Sequence, residues 1–179
     1  MLGTSSVAYF SVVQRVFSVG LLSQYIMLPL WPVFREAIIR GDIVWAGTTL
    51  HRALRLNVVI GGVGGAILLV ASRWVLKSWA GIGASQIDGL RLGFVIWIVL
   101  AGYIATMNAF LNQPGVMKRH LVLFGTATIV SVALKVLFIS RWGVAGVVWA
   151  TIIGYSVVYV IPSYRLAIRT IGTSPRSGL

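Results

Sequence analysis

The side chains with the clearest chemical potential form a polar stripe near the start of the chain. Five polar residues belong to this stripe, and the first four repeat at the i, i+3, i+4, i+7 spacing of one helix face: Ser11, Gln14, Arg15, Ser18 and Tyr25. The surrounding segment is apolar, so these groups must face either the interior of a helical bundle or water. The stripe is therefore a candidate lining for a substrate cavity.

Arg15 is the most informative member of the stripe. It lies about eight residues into the apolar segment, or roughly 12 Å deep at a helical rise of about 1.5 Å per residue. A guanidinium at the centre of a bilayer costs from about 2.5 to more than about 10 kcal/mol, and such residues usually face a cavity or a partner. Two interpretations follow: Arg15 lines a functional cavity, or it reaches outward to the interface and to helix-end carbonyls.

A second polar pair ends the third apolar segment, where Asn108 and Asn112 stand four residues apart. Asparagine inside a membrane either hydrogen-bonds neighbouring helices or contacts substrate, and the first role is the commoner one, although both are considered for this pair. His51 and His120 each lack a second histidine or a carboxylate at ligand spacing. We therefore expect no metal site and no cofactor.

The three acidic residues, Glu36, Asp42 and Asp88, are all expected in loops. A membrane-embedded hydrolase or transferase needs a clustered base or a metal, and an ion-coupled antiporter usually carries an acid within the bundle. Neither arrangement is visible in these residues. The chain is thus not expected to be an enzyme.

Long apolar helices must position these side chains. Hydrophobic residues make up 58% of the 179-residue chain and charged residues 10%, which a water-soluble domain could not cover with solvated groups. A bilayer core needs about 20 apolar residues per helix, and the apolar runs are too long and lack the alternation of barrel strands. We predict an all-α polytopic membrane bundle over residues 1–172, with five spans near 7–34, 50–74, 89–112, 120–139 and 143–168.

The positions of lysine and arginine predict the orientation, because cytoplasmic loops carry the excess. Five basic residues fall on one side: Arg73, Lys77, Arg91, Lys135 and Arg141. Nine fall on the other side: Arg35, Arg40, Arg52, Arg55, Lys118, Arg119, Arg165, Arg169 and Arg176. We therefore expect the C-terminus, with a polar tail over residues 173–179, in the cytoplasm and the N-terminus outside.

The net charge of +12 would suit a protein that binds nucleic acid. The basic residues flank the predicted spans and are not gathered on a soluble module, so anionic lipid headgroups are the simpler partners. On the side predicted to be cytoplasmic, residues 35–49 are expected to form either a short amphipathic helix or a solvated connector. We predict contact with membrane lipids and none with nucleic acid.

Small residues recur at four-residue spacing in two of the predicted spans. This spacing places them on one helix face, where a missing side chain lets two helices approach closely. The positions are Gly61 and Gly65 in the second span, and Gly146, Ala150 and Gly154 in the fifth. They predict a compact bundle and indicate no particular activity.

Several of these motifs together resemble a transporter family. The stretches are Tyr9–Ser18, Gln24–Pro32, Asn108–Gly115 and Trp142–Gly146, with Ala150-Thr151 and Gly154-Tyr155 after them. Their order and spacing resemble helices eight to twelve of polysaccharide flippases of the O-antigen transporter type. That family belongs to the multidrug/oligosaccharidyl-lipid/polysaccharide exporter superfamily, and the resemblance covers nearly the whole chain.

The resemblance implies part of a six-helix lobe from a twelve-helix transporter of the bacterial inner membrane. Such a protein translocates lipid-linked oligosaccharides, including lipopolysaccharide precursors, by alternating access between two lobes. Gln14 and Arg15 would fall on a cavity-lining helix, where a cation suits the substrate pyrophosphate. We expect the chain to be incomplete on its own, with the N-terminal lobe missing or supplied as a separate chain.

Two other functions stay open. One is a segment of a multidrug or cation antiporter from the same superfamily, which the absence of a carboxylate within the spans disfavours. The other is a membrane scaffold subunit that transports nothing itself. The sequence identifies no sugar, lipid carrier or coupling ion.

Overall fold

The computed structural model describes residues 4–25, 27, 29–80 and 88–173, and within them every regular element is a helix. Three helical stretches are long and apolar enough to cross a membrane, over Ile43–Ser78, Asp88–Leu111 and Met117–Gly172. The predicted fold class, an all-α polytopic membrane protein, is thereby confirmed. The proposed tail lies outside the described residues except for Thr173, which ends a helix.

The helices follow one another with short connections. In chain order they are α1 (Thr4–Ser18), α2 (Leu22–Tyr25), α3 (Leu30–Ile39), α4 (Ile43–Ala80), α5 (Asp88–Leu111), α6 (Met117–Tyr155) and α7 (Ile161–Thr173). A 3₁₀ turn over Val19–Leu21 joins α1 to α2, and a π-helical turn over Ser156–Val160 joins α6 to α7. Helix α5 is central, because it packs against α1, α3, α4, α6 and α7.

The segment 7–34, predicted as the first span, contains several helical pieces instead of one continuous helix. A turn follows α2, in which the backbone N–H of Met27 bonds to the Gln24 carbonyl and that of Leu30 to the Met27 carbonyl, both at 3.1 Å. Pro29 caps α3 and Pro32 lies in its first turn. Proline has no N–H to continue an incoming helix, which explains the interruption here.

The connection after α3 differs from the single amphipathic helix considered over residues 35–49, and that interpretation was wrong. Gly41 has a positive φ of 78°, which ends α3, and α4 starts two residues later. The Asp42 carboxylate then accepts a hydrogen bond from the Trp45 backbone N–H at 3.1 Å, as an N-cap does. A glycine and a capping aspartate thus divide the segment between two helices.

Helices α4 and α5 run antiparallel and approach closely at two glycines. A Cβ on Gly61 would lie 3.3 Å from the Val99 Cα, and one on Gly65 would lie 2.8 Å from a Val95 methyl carbon. A larger side chain at either position would push the helices apart. This contact confirms the packing role predicted for both glycines.

Helix α6 contains a reversal at Gly143, whose φ of 57° and ψ of −144° are not helical. A Cβ on Gly146 would lie 2.5 Å from the Phe138 carbonyl oxygen, and one on Gly154 would lie 2.9 Å from the Ser131 Cα. The residues on either side of Gly143 therefore form two antiparallel arms, 117–142 and 144–155. The packing role predicted for Gly146 and Gly154 is confirmed, and Ala150 between them is fully buried.

The core lies along α5 and is mainly aromatic and aliphatic. Phe94 contacts Phe17 of α1 in a stacked arrangement with ring centroids 5.6 Å apart, and Phe110 meets Phe34 of α3 edge-on at 5.3 Å. The outer faces of α4 and α6 remain strongly apolar, as at Val63, Ile67, Val70, Val136 and Leu137, which are all more than half exposed. Such continuous exposed apolar faces suit a lipid environment.

Candidate ligand cavity

A cavity of about 730 Å³ opens between α2, α3, α5 and both arms of α6. Its volume lies within the range of small-molecule sites, and most of its wall is apolar. The wall is formed by Leu21, Gln24, Tyr25, Trp31, Trp97, Ala101, Ile104, Ala105, Asn108, Ala109, Asn112, Phe124 and Tyr155. The break between α2 and α3 contributes to it, since it places Tyr25 and Trp31 on the same wall.

The polar groups of the wall are mainly amides, from Gln24, Asn108 and Asn112. An amide both donates and accepts hydrogen bonds, which matches hydroxyl groups of a neutral ligand. Trp31 is held in place because its indole N–H donates to the Asn112 backbone carbonyl at 3.3 Å. Trp97 meets Tyr155 edge-on with centroids 6.1 Å apart.

Aromatic faces beside amides are a wall suited to ligands that carry both apolar faces and hydroxyl groups, as sugar rings do. Among the residues that the structure describes, none that lines the wall carries a carboxylate or a basic side chain. An ionised ligand would therefore find no opposite charge within this cavity. The cavity by itself favours a neutral, hydroxyl-rich group.

The predicted candidates divide into two sets. Tyr25, Asn108 and Asn112 line the cavity, as does Gln24. The other four, Ser11, Gln14, Arg15 and Ser18, are exposed on the outer face of α1 and do not belong to the cavity wall. Tyr25, which is 66% exposed, is the one residue of the polar stripe that also reaches the cavity.

Arg15 lies at the surface of the described bundle. Both ion pairs within the described part of the chain involve other arginines, so no carboxylate there neutralises its guanidinium. The Ser18 hydroxyl donates to the Arg15 backbone carbonyl at 2.7 Å, so it is already used locally. The stripe leaves a cation and an amide facing outward from α1.

A buried hydrogen-bond chain continues from the cavity wall into the bundle. The Tyr159 hydroxyl donates to the Asn108 side-chain oxygen at 3.1 Å and lies 2.9 Å from His120 Nε2. Because that hydroxyl has only one proton, His120 Nε2–H is the donor in the second bond. We call this the His120–Tyr159–Asn108 chain.

Sequence reasoning treated His120 as an isolated residue and so missed this chain. Tyr159 follows His120 by 39 residues and reaches it only because α6 reverses at Gly143. Tyr159 also lies within the π-helical turn, whose Val160 carbonyl accepts a hydrogen bond from the Tyr103 hydroxyl at 2.9 Å. Such turns are often found at functional sites, but no local sequence spacing marks this one.

The acidic residues were predicted in loops, and for two of them this was wrong. Glu36 lies within α3 and pairs with Arg40 at 2.5 Å, while Asp88 is the first residue of α5. Asp88 pairs with Arg91 at 2.6 Å. The i, i+3 spacing of Asp88 and Arg91 was the signal that could have indicated a helical pair.

Arg91 is the most buried charged group in the described residues, with 1% of its surface exposed. Besides Asp88, it donates to the Ser72 hydroxyl at 2.9 Å and to the Leu69 backbone carbonyl. Three partners on two helices satisfy the guanidinium, so it fastens α4 to α5. Its role is structural and separate from the cavity.

These features define a class: a polytopic helical membrane protein with an amide- and aromatic-lined cavity. Within the described residues there is no group of three or more His, Cys, Asp or Glu side chains that could hold a metal ion. Comparisons with protein-family models, with curated proteins and with solved structures found no match. Function must therefore be inferred from the cavity and the polar stripe themselves.

Proposed function

We propose that this chain is a segment of a membrane transporter that translocates lipid-linked oligosaccharide or polysaccharide precursors by alternating access. The observation that supports the proposal is the cavity wall, whose described residues combine three amides with aromatic rings and include no charged side chain. In this reading the sugar part of the substrate enters the cavity. Asn108 and Asn112 bind its hydroxyl groups, and Trp31 or Trp97 packs against its rings.

The polar stripe supplies a positive charge, which the described residues of the cavity wall lack. A lipid-linked precursor carries a phosphate or pyrophosphate between its sugar and its lipid, and Arg15 places on the exposed face of α1 a guanidinium that pairs with no carboxylate of the described residues. Tyr25 joins the stripe to the cavity. One substrate can therefore reach both regions, with its anionic group on the stripe and its sugars at the amides.

Exposing the polar stripe to lipid would cost free energy, so water or protein must cover it. We propose that a second helical lobe, on the same or another chain, faces α1 across a water-filled path. Outward movement of an anionic substrate would then be favoured by the negative-inside potential, by about 2.3 kcal/mol per charge per 100 mV. No acid within the cavity is needed for this coupling. The proposed setting is a bacterial inner membrane with the C-terminus in the cytoplasm.

The first test is binding, because Trp31 and Trp97 report on the cavity directly. The full chain in detergent is titrated with a polyprenyl-diphosphate oligosaccharide, and tryptophan fluorescence is recorded. We expect Asn108→Ala to weaken binding by about tenfold, the effect of losing roughly 1.4 kcal/mol. Thr126→Ala, at an exposed hydroxyl outside the cavity wall, is the matched control and should bind normally.

The second test separates the two regions of the site. Arg15→Gln should weaken binding of the lipid-linked substrate but leave binding of the free oligosaccharide unaffected. Asn108→Ala should weaken binding of both ligands. Arg73→Gln, another exposed arginine, should change neither. Equal binding of the substrate by all variants would refute the proposed site.

A lipophilic cation in the same titration tests the multidrug alternative. Aromatic faces such as Trp31 can attract a cation, so this function has one observation in its favour. Tight binding of the cation, with no response to the oligosaccharide, would favour an antiporter segment. No response to either ligand would favour a scaffold subunit.

A further inference from the structure

The side-chain amide of Asn108 connects the cavity with the buried part of the bundle. Its oxygen accepts a hydrogen bond from the Tyr159 hydroxyl at 3.1 Å, and Tyr159 is fully buried. Asn108 itself is partly exposed and lies in the cavity wall. The amide oxygen therefore points into the bundle, and the NH₂ group on the other side of the amide is left for the cavity.

This orientation of Asn108 depends on the direction of hydrogen bonding along the His120–Tyr159–Asn108 chain. Two arrangements form both bonds of the chain. In the first, His120 Nε2–H donates to Tyr159, whose own proton goes to the Asn108 oxygen. In the second, Tyr159 donates to an unprotonated His120 Nε2, and the Asn108 amide turns over to donate its NH₂ group to Tyr159. The first arrangement presents a donor to the cavity, and the second presents an acceptor.

The other ring nitrogen of His120 distinguishes the two arrangements. His120 is 3% exposed, and its Nδ1 is buried and has no hydrogen-bond partner in the part of the chain that the structure describes. In the first arrangement Nδ1 is an acceptor without a donor, whereas in the second it carries a proton that nothing accepts. Because a buried N–H without an acceptor is the rarer defect in proteins, the first arrangement is favoured.

The wall beside Asn108 is apolar. Ile104 and Ala105 lie one helical turn before Asn108 on the same face of α5, and these two and Ala109 all line the cavity. A ligand group that fits this position has an acceptor for the NH₂ group and a small apolar part. An acetamido group has both, since its carbonyl oxygen accepts and its methyl group is apolar. A hydroxyl group has no apolar part and must also place its own proton.

We propose that the His120–Tyr159–Asn108 chain fixes Asn108 with its NH₂ group towards the cavity, and that this position selects sugars with an acetamido group over sugars with a hydroxyl group in the same place. Tyr159 and His120 are positioning residues, because neither belongs to the cavity wall. The inference rests on the proposed function, since it names the sugar substituent that the same cavity prefers.

Two neutral trisaccharides, tri-N-acetylchitotriose and cellotriose, test this preference. Their rings are linked in the same way and differ at the second carbon, which carries an acetamido group in the first sugar and a hydroxyl group in the second. Tryptophan fluorescence of the full chain in detergent gives the ratio of the two affinities. We expect the unmodified protein to bind the acetylated trisaccharide about tenfold more tightly, as one additional hydrogen bond implies.

Asn108→Asp replaces the NH₂ group by a second oxygen and keeps an oxygen for Tyr159. At about pH 8 an aspartate is ionised and only accepts hydrogen bonds, so the preference should reverse in favour of cellotriose, whose hydroxyl groups donate. Tyr159→Phe is a second variant, which keeps Asn108 but removes the group that fixes its orientation. In this variant the affinity ratio should fall several-fold, an effect that a loss of stability alone does not produce.

Asn112→Asp is the matched control, because it places the same carboxylate in the cavity wall at an amide outside the chain. It should still prefer the acetylated trisaccharide. An equal reversal in this control would show that charge alone sets the preference, and would overturn the inference. Equal affinities of the unmodified protein for the two trisaccharides would overturn the inference but not the proposed function, whereas no binding of either would overturn both.

Discussion

The side-chain amide of Asn57 on α4 donates a hydrogen bond to the backbone carbonyl of Val99 on α5, at 3.0 Å, and lies directly against Gly102. Asn57 is 1% exposed, so the bond is formed away from any solvent. Only a residue without a Cβ leaves space for this amide on α5. The pair illustrates how a small residue and a polar side chain together hold two membrane helices at close distance.

Gly102→Ala should destabilise the protein, because the added methyl group overlaps the Asn57 amide. The expected loss is about 1–3 kcal/mol, as for an overpacked core. Thermal unfolding in detergent, followed by tryptophan fluorescence, measures it. Gly62→Ala is the matched control: nothing lies within 4 Å of its Cβ, so it should be neutral or slightly stabilising.

A double-mutant cycle shows whether the overlap is the cause. In the Asn57→Ala background the amide is gone, so adding Gly102→Ala should cost much less than it does alone. If the two effects simply add, Gly102 acts through something other than Asn57. That outcome would contradict the explanation given for this contact.

Arg91→Ala should also lower stability, and by more than any exposed arginine does. The substitution leaves a cavity and removes the hydrogen bonds to Ser72 and Leu69 that connect α4 with α5. We expect a loss of about 2–4 kcal/mol, because the truncation leaves a cavity and leaves buried hydrogen-bonding groups without a partner, while the remaining Asp88 carboxylate is half exposed. Arg73→Ala, at an exposed position nearby in sequence, should stay within about 0.5 kcal/mol. Equal effects of both variants would show that Arg91 is not a structural connector.

Tyr159→Phe should destabilise the protein without changing its packing volume much. The lost hydroxyl leaves His120 Nε2 and the Asn108 side-chain oxygen without the partner they share. An unsatisfied buried polar group costs about 1–3 kcal/mol. Tyr164→Phe is the control, because Tyr164 is 40% exposed and makes one longer contact with His51, at 3.3 Å.

The same variant links the buried chain to the cavity. Asn108 lies in the cavity wall, and its orientation depends on the Tyr159 hydroxyl. Tyr159→Phe should therefore also lower the affinity for the oligosaccharide several-fold in the fluorescence titration, while Tyr164→Phe should leave that affinity unchanged. A stability loss with unchanged binding would limit Tyr159 to a structural role.

The helical class and the glycine contacts could be predicted because they depend on local properties. Apolar length decides whether a helix can span a bilayer, and four-residue spacing decides which glycines share a face. Gly61, Gly65, Gly146 and Gly154 accordingly occupy the close contacts that their spacing indicated. Asn108 and Asn112, for which both helix packing and ligand contact were considered, lie in the cavity wall.

What sequence reasoning missed depends on contacts between distant segments. The position of the α4 start depends on the backbone at Gly41, and Tyr159 meets His120 only after the chain reverses. The burial of Arg91 likewise depends on Ser72 and Leu69 of another helix. The apolar pattern of single spans holds no information on such pairs, so Arg91 was counted only among the basic residues on one side of the membrane.

The reversal at Gly143 can be tested by disulfide formation, because the chain has no native cysteine. A Cβ on Gly154 would lie 3.0 Å from the Ser131 Cβ, so the two arms need to move apart by only about 0.5–1.5 Å to reach the separation of about 3.5–4.5 Å found in disulfides. The double variant Ser131→Cys/Gly154→Cys should therefore form an intramolecular disulfide under mild oxidation. The loss of two free thiols, measured by alkylation and mass spectrometry, detects it. In one continuous helix the same residues would be about 35 Å apart and could not react.

Ser131→Cys/Gly64→Cys is the control pair, since nothing lies within 4 Å of a Cβ at Gly64. It should keep both thiols under the same oxidation. Free thiols in both double variants would mean that the two arms of α6 do not pack against each other. The approach of Tyr159 to His120 would then lose its structural basis.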